Sequence, residues 1–117
     1  MSDPMHLFDI AHARSGDKGN HANVAVLAYT PAGYDWLKEN LTAETVAAYF
    51  ASMNPSRVVR YVAPNVLGLN FVLYDILAGG ASQSSRIDTQ GKTLALALLQ
   101  MPIATPPNVA AMIRPTV

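Results

Sequence analysis

Apolar and polar positions alternate along MHLFDIA (residues 5–11), which predicts a short strand with Leu7 and Asp9 facing away from His6, Phe8 and Ile10. NVAVLAY (23–29) repeats the alternation more strongly. Two strands flanking a turn-rich segment read as a hairpin, although the connection between them exceeds the commonest turns. The apolar spacing then lengthens from two to between three and four. TPAGYDWLKEN (30–40) predicts a helix with Thr30 as N-cap, Pro31 at the first helical position and Asn40 at its end; Gly33 weakens it. In TAETVAAYFASM (42–53), Thr42 caps, Glu44 complements the helix dipole, and Val46, Tyr49, Phe50 and Met53 share one face. Asn54-Pro55-Ser56 ends that helix, and RVVRYVA (57–63), β-branched and aromatic, predicts a third strand closed by Pro64. NFVLYDILAGG (70–80) reads as a helix capped by Asn70 and stopped by Gly79-Gly80. The polar SQSSRID (82–88) has room for a short strand. TQGKTLALALLQM (89–101) reads as a last helix, almost wholly apolar after Lys92 and so suited to a buried position or an interface.

Strands interleaved with helices, joined in part by a hairpin, predict an α+β fold. A ferredoxin-like two-layer sandwich fits the count, with an antiparallel or mixed sheet and helices on one face. Residues 1–101 form the expected domain. Residues 102–117 hold four of the eight prolines and read as an arm laid over a neighbour or a loose tail.

Composition narrows the picture. A chain of 117 residues has room for one domain, and one of this size hides roughly two-thirds of its unfolded surface. Cysteine is absent, which removes disulfides, thiolate metal sites and a cysteine nucleophile. Charged residues make up 14% and hydrophobic ones 50% of the chain. Typical domains are roughly a quarter charged, so part of this surface is expected to be covered by another subunit, in a homo- or hetero-oligomer. Eight basic side chains balance eight acidic ones, which argues against nucleic acid as a partner. The N-terminal residues lack a signal-peptide pattern, and no apolar run approaches the roughly 18 residues of a membrane span. A cytoplasmic protein without membrane contact is the expectation.

The candidate chemistry concentrates in AHARSGDKGNHANV (11–24). Arg14 and Lys18 supply cations, while Gly16 and Gly19 allow backbone N–H groups to turn inward around an anion, with Ser15 and Asp17 between them. Phosphate or carboxylate is the natural guest. The plainer reading is a turn in which Asp-Lys-Gly reverses the chain with Gly19 at positive φ. No P-loop is present, since Gly91-Lys92-Thr93 stands alone. His12 and His21 flank the segment. Either is a proton carrier by type, as is Asp17, but no helical histidine pair supports a metal site, and none is expected. Ser82, Ser84 and Ser85 lack a nucleophile-elbow pattern. Downstream, Arg86 and Lys92 bracket the predicted start of the last helix, a second place where an anion would be attracted, although Asp88 already serves as its cap.

DIAHARSGDKGNHANVAVLA followed by LNFVLYDILAGGASQSSRIDTQGKTLALALLQM resembles the C-terminal domain of AtuA-type acyclic terpene utilisation proteins, a family that also includes short stand-alone chains. The resemblance covers residues 5–101. It implies a ferredoxin-like α+β domain that accompanies a larger AtuA-type subunit, fused or separate, in catabolism of acyclic terpenes or acyl-CoA-like substrates. No cofactor is expected. Two positions depart from the family pattern: Asn20 and His21 stand where an acidic residue often follows SGDKG, and Ala78-Gly79-Gly80 replaces a run of three glycines.

Three functions stay open at this point. The first is an accessory or ligand-binding domain whose Arg14, Ser15, Gly16, Asp17, Lys18 and Gly19, with Arg86 and Lys92, contact a CoA ester or another anionic small molecule, or dock the larger subunit. The second is a stand-alone lyase or hydratase acting on an acyl-CoA, with His12 or Asp17 carrying the proton. The third is a structural oligomerisation module built on the apolar last helix and the tail.

Overall fold

The computed structural model describes residues 5–76 and 94–113. The chain opens with strand β1 (Met5–His6) and a 3₁₀ turn over Leu7–Asp9, so the strand expected over 5–11 is broken. The His6 N–H donates to Asp9 Oδ2 at 3.0 Å and the Ile10 N–H to the Leu7 carbonyl at 3.1 Å. The turn thereby buries both Leu7 and Ile10, which strict alternation would have placed on opposite sides.

Strand β2 (Ala11–Lys18) runs through the segment the sequence pattern assigns to a loop. It pairs antiparallel with β3 (His21–Ala28) from Ala11↔Ala28 to Lys18↔His21. The connection shrinks to Gly19-Asn20, with Gly19 at φ +63°, as the first position of a two-residue II′ turn demands. Ser, Gly, Asp and Lys are weak strand formers, but a complete ladder against the buried Ala22, Val24, Val26 and Ala28 overrides their preference.

Helix α1 (Pro31–Asn40) forms as predicted, whereas α2 (Ala43–Tyr49) ends short of the Met53 expected for it, and Tyr49, assigned to its buried face, is 36% exposed. Thr30 Oγ1 accepts the Gly33 N–H at 3.0 Å, and Thr42 Oγ1 accepts the Thr45 N–H at 3.1 Å. A 3₁₀ turn over Ala51–Met53 ends at left-handed Asn54. Strand β4 (Arg57–Ala63) matches its expected span, and a turn through Leu67 leads into β5 (Gly68–Tyr74). The helix expected over 70–80 is a strand as far as Tyr74. Leu69, Phe71 and Leu73 are buried and Asn70, Val72 and Tyr74 half-buried, a period of two. The remainder of that span past Ile76, the short strand within 82–88 and the start of the last helix lie outside the described residues. Helix α3 covers residues 94–99, and β6 (Pro102–Ile103) pairs with β1.

The main sheet has the order β2-β3-β5-β4, antiparallel at every pairing. β3 and β4 therefore run parallel with β5 between them, joined through α1 and α2: a split βαβ unit. The fold is the ferredoxin-like α+β sandwich that the sequence predicts. A single core joins Val24, Val26, Phe71 and Leu73 of the sheet to Leu37, Val46 and Leu98 of the helices. The C-terminal residues return to the same domain: Met112 is buried, and Thr30 Oγ1 donates to the Ala111 carbonyl at 2.6 Å. Among the described residues, no helix is long and apolar enough to cross a membrane.

Candidate functional site

Cross-strand partners project to the same side of a sheet, so the register sorts every strand residue onto one of two faces. One face carries Ala22, Val24 and Val26 with Leu69, Phe71 and Leu73 and meets the described helices. The other carries His12, Arg14 and Gly16 of β2; His21, Asn23, Ala25 and Leu27 of β3; Asn70, Val72 and Tyr74 of β5; and Arg57, Val59 and Tyr61 of β4. No described helix lies on this second face. Tyr61 is 52% exposed there, while Ala25, Val59 and Val72 are partly exposed. At its centre the Asn23 and Asn70 carboxamides meet at 3.4 Å.

The alternation separates the residues that the sequence groups together. Arg14 is exposed on the open face, with Gly16 at the next position of the same parity. Ser15 and Asp17 belong to the helix side. Ser15 Oγ accepts the Ala95 N–H at 3.1 Å, so it anchors the described start of α3, and Asp17 is exposed. Lys18 holds the register position opposite His21. Gly16 pairs with Asn23 in the ladder, and Gly19 makes the turn. His12 is exposed and stacks on Tyr29 with ring centroids 5.4 Å apart, five positions and one face away from Asp17. Arg86 and Lys92 lie outside the described residues.

The face also contains a cluster that the sequence pattern does not reveal. The Arg57 guanidinium lies 4.4 Å from the centroid of the Tyr74 ring, and His21 meets the same ring edge-on at 4.9 Å. His21 Nδ1 accepts the Asp75 N–H at 3.0 Å and lies 3.8 Å from Asp75 Oδ1, while Ser56 Oγ donates to Asp75 Oδ2 at 2.6 Å. Serine, histidine and aspartate meet here, but the hydroxyl donates to the carboxylate and not to the imidazole, so the serine is not activated as a nucleophile. A shallow groove of about 260 Å³ is lined by His21, Ala22, Asn23, Val72 and Tyr74. The signal was the odd-numbered parity of Arg57, Tyr61 and their neighbours along RVVRYVA, readable only once β5 is known to be a strand.

Formally charged side chains described on the strands of this face are Arg14 and Arg57, on opposite edge strands, and the half-exposed Asp75 carboxylate follows β5 beside His21. Three inter-strand spacings put the two arginines about 14 Å apart across the sheet, before any offset along it. Such a separation exceeds the reach of one phosphate or carboxylate. It suits an extended surface. Among the described residues, no cluster of three or more histidine, aspartate and glutamate side chains is arranged to hold a metal ion.

The family model described as AtuA ferredoxin-like domain matches residues 5–104. No curated protein and no solved structure matches the chain.

Proposed function

The chain belongs to the AtuA ferredoxin-like domain family, and from that premise we propose that it is an accessory domain that works bound to a larger AtuA-type subunit through the open face of its sheet. The observation that carries this reading is the character of that face. Tyr61, Val59, Val72 and Ala25 stand there at least partly exposed among the polar Arg14, His21, Asn23, Asn70 and Arg57, and no described helix covers them. A mixed apolar and polar surface of this kind suits a protein interface. It also answers the low charge of the chain, because a covered face needs few charges to keep it soluble. Any role in acyclic terpene or acyl-CoA catabolism then belongs to the assembled pair. The lyase or hydratase reading is less well supported: His12 and Asp17, either of which would carry the proton, are both exposed, so neither holds a proton-transfer group away from bulk water.

Titration of the purified chain against a purified AtuA-type subunit by calorimetry tests the proposal. Tyr61→Lys and Val59→Lys should each weaken the complex by tenfold or more, while Leu96→Lys, at an exposed position of α3, should leave it unchanged. Circular dichroism establishes that the variants fold. Absence of a complex, sensitivity only to Leu96→Lys, or turnover of an acyl-CoA by the chain alone that His12→Ala abolishes would each overturn the reading.

A further inference from the structure

We infer that His21 is a proton-operated latch at the exit of β5, in which one ring nitrogen exchanges a backbone partner for a carboxylate when the imidazole gains a proton. Nδ1 faces two groups of Asp75 at once. It accepts the amide proton at 3.0 Å, and the carboxylate Oδ1 lies 3.8 Å away. Accepting an N–H needs a lone pair on Nδ1, so this bond belongs to the neutral ring with its proton on Nε2. A proton added at Nδ1 removes the lone pair. The nitrogen and the amide then present two donors to each other, while Oδ1 is an acceptor within reach. A movement of about 1 Å converts the approach to Oδ1 into a charge-assisted hydrogen bond.

The other charged and titratable groups described around the ring leave that choice to Asp75. Tyr74 of β5 meets the imidazole edge-on at 4.9 Å, and Arg57 of β4 lies 4.4 Å from the centroid of the same phenol ring. Lys18 holds the paired position of β2, and Asp17 belongs to the opposite face. Asp75 therefore bears the negative charge in this set. Its backbone, at φ +60°, is held from two sides: the amide by Nδ1, and Oδ2 by the Ser56 hydroxyl at 2.6 Å. Protonation withdraws the first support and draws the carboxylate toward the ring, so the left-handed conformation at Asp75 loses the bond that anchors its amide. The proton is thus read out as a backbone rearrangement where the chain leaves β5, beside the groove lined by His21, Asn23, Val72 and Tyr74.

Nuclear magnetic resonance of the full chain between pH 8 and pH 5, the interval in which imidazoles titrate, tests the inference. At the upper end the ring nitrogens of His21 should report a proton on Nε2 and none on Nδ1. As the pH falls, the Asp75 amide proton and its side-chain carboxyl carbon should shift with the same midpoint as the His21 ring. Exchange at the Asp75 amide, measured against an unstructured peptide at the same pH, should rise about fivefold, the equivalent of one lost hydrogen bond. His21→Gln offers a carboxamide oxygen to the amide and does not titrate, so it should abolish the pH-dependent shift at Asp75. His12→Gln, on a histidine that stacks on Tyr29, should preserve it. The titration of the unsubstituted chain decides the matter even where a variant fails to fold. A neutral ring protonated on Nδ1, an Asp75 amide that stays still while His21 titrates, or a shift that survives in folded His21→Gln would each overturn the latch.

Discussion

The ring of His21 and the backbone of Asp75 are joined by a 3.0 Å hydrogen bond in which Nδ1 accepts the amide proton. The bond ties the β2–β3 hairpin to the residue that follows β5, across residues far apart in sequence. Asp75 sits at φ +60°, a left-handed conformation that costs a residue with a Cβ roughly 1 kcal/mol. Ser56 Oγ, 2.6 Å from Asp75 Oδ2, holds it from the other side. Loop residues in such conformations persist because their neighbours over-determine them.

His21→Ala removes one of those supports and leaves the Asp75 N–H without its acceptor. We expect a loss of about 1 kcal/mol in urea denaturation and faster hydrogen exchange at the Asp75 amide. Unchanged exchange there would show that the imidazole bond is dispensable.

Ser15→Ala should destabilise the fold by about 1 kcal/mol, because it deletes the acceptor for the Ala95 N–H near the described start of α3. Affinity for the AtuA-type subunit should not change, since Ser15 lies on the helix side of β2. Reduced binding at unaltered stability would restore the serine to the ligand-contact set in which its sequence neighbours placed it.

Legibility in the sequence followed the locality of the physics. The caps Thr30 and Thr42 satisfy amides three residues away, so both helices and their starts could be read directly. Arg57–Ala63 was equally plain, because β-branched and aromatic residues together make up most of it. Two elements depended on distant partners and were misread. Gly68–Tyr74 is an apolar run whose side chains fit either period, and only its place between β3 and β4 selects the strand. Ser15 to Lys18 reads as a loop by composition and is a strand by pairing. The pairing of β2 decides the geometry of the site. In a loop, Arg14, Ser15 and Asp17 could converge on one anion; in a strand, alternation sends Arg14 one way and the other two the opposite way. The contact of Arg57 with Tyr74 is hidden in the sequence for the same reason, since only a strand β5 brings Tyr74 beside β4.

The hairpin turn makes its own test. Gly19 is at φ +63°, and a Cβ added there meets nothing within 4 Å, so strain in the backbone is the whole cost. Gly19→Ala and Gly19→Asn should each lose about 1 kcal/mol or more, because the first central position of a II′ turn suits glycine and not a residue with a Cβ. Thermal denaturation of the three proteins measures the loss. Equal stability would mean that the turn relaxes to another type.

Arg57 and Arg60 stand three residues apart on β4, which puts them on opposite faces and gives them different work. Arg60 Nη1 donates to the Lys38 carbonyl at 2.8 Å and to the Leu41 carbonyl at 3.0 Å, closing the C-terminal end of α1 where carbonyls lack helical partners. A positive group there also complements the helix dipole. Arg60→Met keeps the aliphatic stem and removes both bonds, so it should cost about 1–2 kcal/mol, the sum of two modest hydrogen bonds. Arg60→Lys should recover part of that loss through the dipole term. Urea denaturation of both variants measures the stability, and exchange at the Leu41 amide, which donates to the Leu37 carbonyl at 2.8 Å, reports fraying of the helix end. Neither variant should alter affinity for the AtuA-type subunit, because the side chain never reaches the open face. Loss of binding in Arg60→Met with the fold intact would mean that the helix layer, and not the bare sheet, meets the partner.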